Sequence, residues 1–104
     1  MANTAVENRQ NSDVAEDFSL EIPPECSVVF YNDDFTTKEF VVEILISIFH
    51  KTQSDAEALM ELVHRAGKAV VGVYTYDIAV TRANMATSRA RKSGYPLKVE
   101  VEKE

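Results

Sequence analysis

The sequence predicts an α+β fold in which a three-stranded antiparallel sheet packs against three helices. The expected order is strand, helix, helix, strand, helix, strand. Apolar residues recur at helical spacing after Thr36 and again after Ser54, which indicates two helices. Short β-rich runs indicate strands, and the clearest is near the end of the chain. There, Leu97, Val99 and Val101 alternate with charged residues, as in a half-buried strand.

Residues 1–22 are predicted to form a flexible N-terminal tail, and residues 23–104 form the folded domain. The tail is mostly polar and small, and its few apolar residues follow no lasting period. Pro23 and Pro24 mark the boundary, because neither residue can donate a backbone hydrogen bond. About 80 residues remain, which is enough for one modest hydrophobic core.

The first strand is predicted over residues 26–31, and an acidic turn at residues 32–34 follows it. Amide and carboxylate side chains favour turns over strands. Thr36 is the expected N-cap of the first helix, and Glu39, three residues later, would complete a capping box. This helix is apolar nearly all round, so we expect it to be the central helix of the core.

The second helix is expected to begin with another capping box, from Ser54 to Glu57. Gly67 is its expected C-cap, since glycine accepts the left-handed conformation that ends helices. The second strand is predicted over residues 69–75. Gly72 within it indicates a close approach of the backbone or a local irregularity.

The third helix carries a stripe of alanines that permits close packing against a sheet. Thr75 or Asp77 is its expected N-cap, and Gly94 and Pro96 are expected to end it. The alanines of the stripe are Ala79, Ala83, Ala86 and Ala90.

Charge and composition exclude several classes of partner. Seventeen acidic residues against eleven basic ones give a formal charge of −6, which argues against nucleic acid. No run approaches the length of a membrane span, and the N-terminus has no signal pattern, so we expect a cytoplasmic location without a membrane partner. Cys26 is the one cysteine, so no internal disulfide can form, and it is interpreted as a small buried hydrophobe.

The motifs of nucleophilic catalysis and of phosphate-binding glycine loops are absent from the sequence. His64 lies one turn after Met60, at the margin of an apolar helix face. It is either a boundary residue that satisfies a neighbouring carbonyl or a polar group at the rim of an apolar pocket. His50, at the end of the first helix, is interpreted as a surface or helix-dipole residue. A metal site built from Asp33, Asp34 and His64 has no supporting ligand spacing.

An ordered set of motifs resembles the ClpS adaptor family. It begins with Asn-Asp-Asp-Phe-Thr at residues 32–36 and Glu-Phe-Val at residues 39–41. It continues with Leu-Met, Val-His and Gly-Lys-Ala between residues 59 and 69, and Gly-Val-Tyr-Thr at residues 72–75. Pro23-Pro24 ahead of the first strand and Pro96-Leu97 ahead of the last strand also fit the family pattern. The resemblance covers about residues 23–102, in order and without large gaps.

The resemblance implies an adaptor of the N-end rule pathway, not an enzyme, with no cofactor and no metal. Members of the family bind proteins whose first residue is Leu, Phe, Tyr or Trp. They hand these N-degron substrates to a Clp AAA+ unfoldase of the ClpA or ClpC type, which feeds the ClpP protease. Nothing in the sequence indicates an obligate oligomer, so we expect a monomer.

The resemblance also implies three sets of functional residues. Those that would contact the α-amino group and first peptide unit of the substrate are Asn32, Asp33, Asp34 and His64. Those that would line the hydrophobic pocket are Thr36, Lys38, Val41, Met60, Val63 and Leu97. The surface that would face the unfoldase lies at Tyr76, Asp77 and Arg82.

Lys38 departs from the family pattern, because well-known relatives carry a methionine there that gates the pocket against β-branched residues. A lysine can lay its methylene stem over the pocket and keep its ammonium group in water. Otherwise it points away and leaves the gate more open. The order of preference among Leu, Phe, Tyr and Trp depends on which arrangement holds.

Two other classes of protein stay open on the residues themselves. One is a small enzyme that uses Asp33, Asp34 and His64, with or without a metal. The other is a structural interaction domain, because the same order of strands and helices resembles the C-terminal domain of the ribosomal stalk protein.

Overall fold

The computed structural model describes residues 23–103, and these form strands and helices in the predicted order. The tail predicted for residues 1–22 lies outside the described residues. The strands are β1 (Glu25–Tyr31), β2 (Lys68–Thr75) and β3 (Lys98–Lys103). The helices are α1 (Lys38–Ser47), α2 (Gln53–Ala66) and α3 (Tyr76–Lys92).

β1 is the central strand of the sheet, and both of its neighbours, β2 and β3, run antiparallel to it. The predicted three-stranded antiparallel sheet is therefore confirmed. All residues from Cys26 to Phe30 are buried, which accounts for the lack of regular polar alternation in β1. Cys26 itself is fully buried, as expected of a small hydrophobe.

β2 carries an irregularity next to Gly72, where its pairing with β1 shifts by one residue. Val28 of β1 pairs with Gly72, whereas the next residue of β1 pairs with Val70, so Val71 is the extra residue of a bulge. A Cβ atom on Gly72 would lie 2.5 Å from the hydroxyl oxygen of Tyr74. A side chain at this position would therefore have to displace Tyr74. The predicted irregularity at this glycine is confirmed, and the group that lies close to it is a side chain, not another backbone segment.

The hydrophobic core lies between the sheet and the layer of helices. α3 packs against all three strands, and the four alanines of its predicted stripe are buried. α1 contributes the completely buried side chains of Ile44 and Leu45, as expected of a core helix. α2 packs against α1 and β2, so the two helices form a hairpin over one end of the sheet.

Two of the predicted helix starts are wrong by one or two residues. The N-cap of α1 is Thr37, whose hydroxyl accepts a hydrogen bond from the backbone N–H of Phe40 at 3.2 Å. The N-cap of α2 is Thr52, whose hydroxyl accepts from a backbone N–H three residues later at 3.1 Å. Ser54 therefore lies inside the first turn of α2. In both places a hydroxyl one or two residues away from the predicted cap meets the free backbone N–H group.

The other predicted helix ends are confirmed. Gly67 caps α2 in the left-handed conformation, with φ 89°. Thr75 is the N-cap of α3, which ends at Lys92 just before Gly94, with φ 84°. None of the helices within residues 23–103 is long and apolar enough to cross a membrane.

Candidate functional site

Asp33 organises the acidic turn between β1 and α1. Its Oδ1 accepts hydrogen bonds from the backbone N–H groups of Phe35 at 2.8 Å and Thr36 at 2.7 Å. Its Oδ2 accepts a hydrogen bond from the Thr36 hydroxyl, also at 2.7 Å. The two threonines have separate roles: the Thr36 hydroxyl donates to Asp33, and the Thr37 hydroxyl accepts from Phe40 and caps α1.

These three hydrogen bonds stabilise the charged form of Asp33. Partial burial acts to raise the pKa of the Asp33 carboxyl, since desolvation disfavours a charge. The hydrogen bonds from Thr36 and Phe35 outweigh that effect, with a further contribution from the positive charge of Arg91. The pKa of Asp33 consequently lies below its ordinary value, and the residue is a fixed negative charge within the turn.

A backbone hydrogen bond joins this turn to the end of α2. The N–H of Asn32 donates to the carbonyl oxygen of Gly67 at 2.9 Å. Gly67 ends α2, and the chain then reverses into β2. His64 lies one turn of helix before Gly67. The hydrogen bond between Asn32 and Gly67 therefore places the His64 imidazole beside the acidic turn.

A cavity of about 440 Å³ opens between the turn, the start of α1 and the end of α2. Exposed side chains of Asn32, Asp34 and His64 supply an amide, a carboxylate and an imidazole on its polar side. Buried and half-buried apolar residues of α1 and α2 form the other side. The residues that line the cavity are Asn32, Asp33, Asp34, Phe35, Thr36, Thr37, Lys38, Glu39, Val41, Met60, Val63 and His64.

This cavity brings together every residue expected at the substrate site except Leu97. The side chain of Leu97 is 1% exposed and belongs to the core, so it does not line the cavity. Its carbonyl oxygen accepts a hydrogen bond from the Arg91 guanidinium at 2.9 Å, which holds the segment before β3 against the end of α3. The alternation of Leu97 with Val99 and Val101 agrees with this inward direction, since all three pack on the core.

Sequence reasoning missed three residues of the cavity: Phe35, Thr37 and Glu39. Phe35 is 74% exposed, although it is a large aromatic residue. An aromatic residue in the middle of a polar turn was the available signal, because turn chemistry gives no reason for it. Thr37 and Glu39 carried no signal beyond helix capping.

Lys38 lies where this cavity meets a larger one between α1 and α2, and it lines both. Its Nζ lies 3.7 Å from Oε2 of Glu61 on α2. Half of the Lys38 side chain is exposed, and a lysine stem can lie along an apolar wall while its ammonium group faces water. The role of Lys38 as a gate of the pocket stays a prediction.

The interpretation of Asp33, Asp34 and His64 as a metal site finds no support. Residues 23–103 contain no group of three or more His, Cys, Asp or Glu side chains placed to hold a metal ion. His50 lies outside the cavity and is exposed, with φ 58°. It is therefore a surface residue just beyond α1, in agreement with its expected role.

A second candidate surface lies at the start of α3. The side chains of Tyr76 and Asp77 are exposed there. Arg82 is half-buried; its guanidinium donates to the carbonyl oxygen of Ile48 at 2.9 Å and lies 5.3 Å from the ring centre of Tyr74. The length of β2, which has 8 residues, separates this surface from the cavity by roughly 25 Å, at about 3.3 Å per residue.

A family model for the ATP-dependent Clp protease adaptor protein ClpS matches residues 21–100. The ATP-dependent Clp protease adapter protein ClpS of Nitratidesulfovibrio vulgaris is 41% identical over 102 residues, which cover 98% of each chain. The protein of the same description from Acetivibrio thermocellus is 50% identical over 82 residues, which cover 79% of this chain and 83% of that one.

A solved structure, that of Agrobacterium tumefaciens ClpS2 bound to L-phenylalaninamide, has the same fold, with a TM-score of 0.78. The two chains are 37% identical, and the match covers 80% of this chain and all of the other. Fold and similarity together define an adaptor of an ATP-dependent protease. The chain belongs to the ClpS family, which confirms the resemblance found in its sequence.

Proposed function

We propose that this adaptor binds proteins that begin with Leu, Phe, Tyr or Trp and delivers them to a Clp AAA+ unfoldase for degradation by ClpP. The observation that carries the proposal is one cavity in which Asn32, Asp34 and His64 face an apolar wall. Such a cavity offers hydrogen-bond acceptors for an amine beside space for an apolar side chain. The proposed role is recognition and transfer, without a covalent step.

A free α-amino group suits the polar side of the cavity. It carries three N–H donors and a positive charge. The Asn32 carbonyl oxygen, the Asp34 carboxylate and a neutral nitrogen of His64 are matching acceptors. Asp33 adds negative charge and holds the turn, and its contact with the substrate would be direct or through water.

The apolar side of the cavity supports the preference for a bulky first residue. Val41 and Val63 are buried, and Met60 is half-buried between them and the larger cavity. Burying one large apolar side chain contributes about 1.5–3 kcal/mol. Met60 is unbranched and flexible, so it can adapt to side chains of different shape.

The ligand of the related Agrobacterium protein has the chemistry that this proposal requires. L-phenylalaninamide combines an aromatic side chain with a free α-amino group, and its amide replaces the first peptide bond of a protein substrate. A substrate that begins with phenylalanine would present the same three features to the cavity of this chain.

Delivery to the unfoldase is proposed to use the start of α3, at Tyr76, Asp77 and Arg82. These residues lie far enough from the cavity for the adaptor to hold a substrate and a ClpA- or ClpC-type unfoldase together. Residues 1–22 would serve as a segment that the unfoldase engages. We propose that the adaptor acts as a monomer in the cytoplasm.

A fluorescence titration with a labelled peptide that begins with Phe, beside its N-acetylated copy, tests the proposal. Acetylation removes the positive charge and donors of the amine together. We expect stoichiometric binding of the free peptide and roughly hundredfold weaker binding of the acetylated one, because two or more charge-assisted hydrogen bonds are lost. Equal affinity for the two peptides would defeat the proposal and favour an interaction domain. Turnover of the peptide, or sensitivity to a chelator, would favour a small enzyme.

A further inference from the structure

We propose that the groove between α1 and α2 binds the residues that follow the first residue of a substrate, and that it selects lysine or arginine among them. This inference rests on the proposed function, because it extends the same bound chain. The groove has a volume of about 740 Å³ and is the larger cavity that Lys38 borders. Its occupant would be an extended, basic stretch of polypeptide.

The groove has an apolar floor and an acidic rim. The floor is formed by the half-buried side chains of Val42, Ile46 and Met60. The rim carries four carboxylates and one ammonium group. The charged residues of the rim are Glu39, Glu43, Glu57, Glu61 and Lys38.

The four carboxylates form two pairs at i,i+4 spacing on helices that face each other. Glu39 and Glu43 belong to α1, whereas Glu57 and Glu61 belong to α2. Like charges at this spacing destabilise a helix. The helix dipole favours Glu39, which lies in the first turn of α1, but it gives no such compensation to Glu43 in the middle of the helix.

Internal partners neutralise only part of this charge. Glu61 lies 3.7 Å from the Lys38 ammonium and 3.8 Å from the Arg65 guanidinium. Within residues 23–103, the carboxylates of Glu39 and Glu43 have no ion pair and no side-chain hydrogen bond. The rim therefore keeps an excess of negative charge that a cationic occupant would neutralise.

The groove is continuous with the cavity proposed for the first residue, since Lys38, Glu39 and Met60 line both. From Lys38 to Ile46 it extends about 12 Å along α1, at 1.5 Å per residue. An extended chain advances about 3.3 Å per residue, so three or four residues fill that length. With residue one of a substrate in the first cavity, positions two to about five would lie along the groove.

Lysine and arginine match both features of the groove. Their long methylene stems can lie on the apolar floor while their charged ends reach the carboxylates of the rim. The tail of this chain is a poor occupant by comparison, because residues 1–22 contain one basic residue, Arg9. Their acidic residues are Glu7, Asp13, Glu16, Asp17 and Glu21.

Titrations with three labelled peptides test the inference. The peptides begin Phe-Ala-Lys-Lys, Phe-Ala-Glu-Glu and Phe-Ala-Ala-Ala and are otherwise identical. For the unmodified protein we expect the lysine peptide to bind about tenfold more tightly than the glutamate peptide, the effect of one or two exposed ion pairs. Added salt should reduce the ratio, because exposed charges are screened.

The double variant Glu43→Gln/Glu57→Gln should reduce that ratio to about twofold or less, since two carboxylates of the rim are gone. Glu25→Gln/Glu100→Gln is the matched control, because it removes two charges from β1 and β3, outside both cavities. The control should leave the ratio of the two affinities unchanged. That result would show that the ratio depends on the carboxylates of the groove and not on the net charge of the protein.

Two results would overturn the inference: equal affinity for the lysine and glutamate peptides, or a ratio that the double variant preserves. Either result, with normal binding of the alanine peptide, would leave the proposed function standing. Failure of the alanine peptide to bind would overturn the proposed function, and this inference with it.

Discussion

The two ends of the central strand carry surfaces that are built in different ways. Where β1 ends, Asp33 accepts three hydrogen bonds, and Asn32 is bonded through its N–H to the end of α2. At the other end, Tyr76 and Asp77 are exposed, and the N-cap Thr75 makes no side-chain capping bond. The first surface is fixed in advance around a small cavity, which suits a single chemical group. The second is an exposed helix start, which suits a protein partner.

Substitutions of the neighbouring residues Asp33 and Asp34 test most directly how the first surface is built. Asp33→Ala removes three hydrogen bonds to a charged acceptor and should lower the free energy of unfolding by about 2 kcal/mol. Asp34 has no hydrogen bond or ion pair with the rest of residues 23–103, so Asp34→Ala should change stability by less than about 0.5 kcal/mol. It should still weaken binding of a Phe-first peptide about tenfold, because it removes an acceptor for the amine.

Urea denaturation and peptide titration of the two variants measure these effects. The pH dependence of stability adds an independent readout. The pKa of Asp33 lies below its ordinary value of 3.8, so its contribution is present above that pH and is lost as the pH falls through the lower, folded-state pKa. The Asp33→Ala variant should lack this acid-dependent loss. Equal destabilisation by both substitutions would contradict the positioning role of Asp33.

His64 should contribute an acceptor for the amine of the substrate. His64→Ala should weaken binding of a Phe-first peptide about fivefold, because it removes that acceptor. His50→Asn is the matched control, since His50 lies outside the cavity and asparagine tolerates its positive φ. Unchanged affinity of the His64→Ala variant would contradict the role of His64.

Substitution of Lys38 has the smallest expected effect, and it changes the selectivity for the first residue of the substrate. Lys38→Met should raise the preference for Leu-first over Ile-first peptides about threefold, because an apolar side chain closes the wall against β-branched residues. Its ion pair with Glu61 is exposed and contributes little to stability. Lys38→Gln, which removes the charge without adding an apolar wall, is the control. Unchanged Leu-to-Ile ratios in both variants would show that Lys38 does not gate the pocket.

The sequence was sufficient for the elements of the fold, because most have a clear period and the first two strands are rich in β-forming residues. Helical repetition defined α1 and α2, alternation defined β3, and the alanine stripe defined the packed face of α3. The starts of α1 and α2 were shifted because several hydroxyl residues compete for each cap. Only the folded structure shows that Thr36 binds Asp33 whereas Thr37 caps α1.

The site was predicted less completely, for reasons of packing. The ordered motifs of the family gave the polar residues and most of the apolar wall. Leu97 points into the core with Val99 and Val101, and their alternation does not distinguish a core position from a pocket wall. The acidic groove could not be predicted either, because Glu43 and Glu57 come to line one cavity only when α1 and α2 pack.

The central claim is that the turn and the end of α2 form one binding site, separate from the start of α3. Backbone amide shifts of the 15N-labelled protein, followed by NMR during titration with L-phenylalaninamide, test it directly. We expect the largest changes at Asn32, Asp34 and His64, and no change at Tyr76 and Asp77. Changes centred on the start of α3, or no saturable change in the turn, would contradict the account.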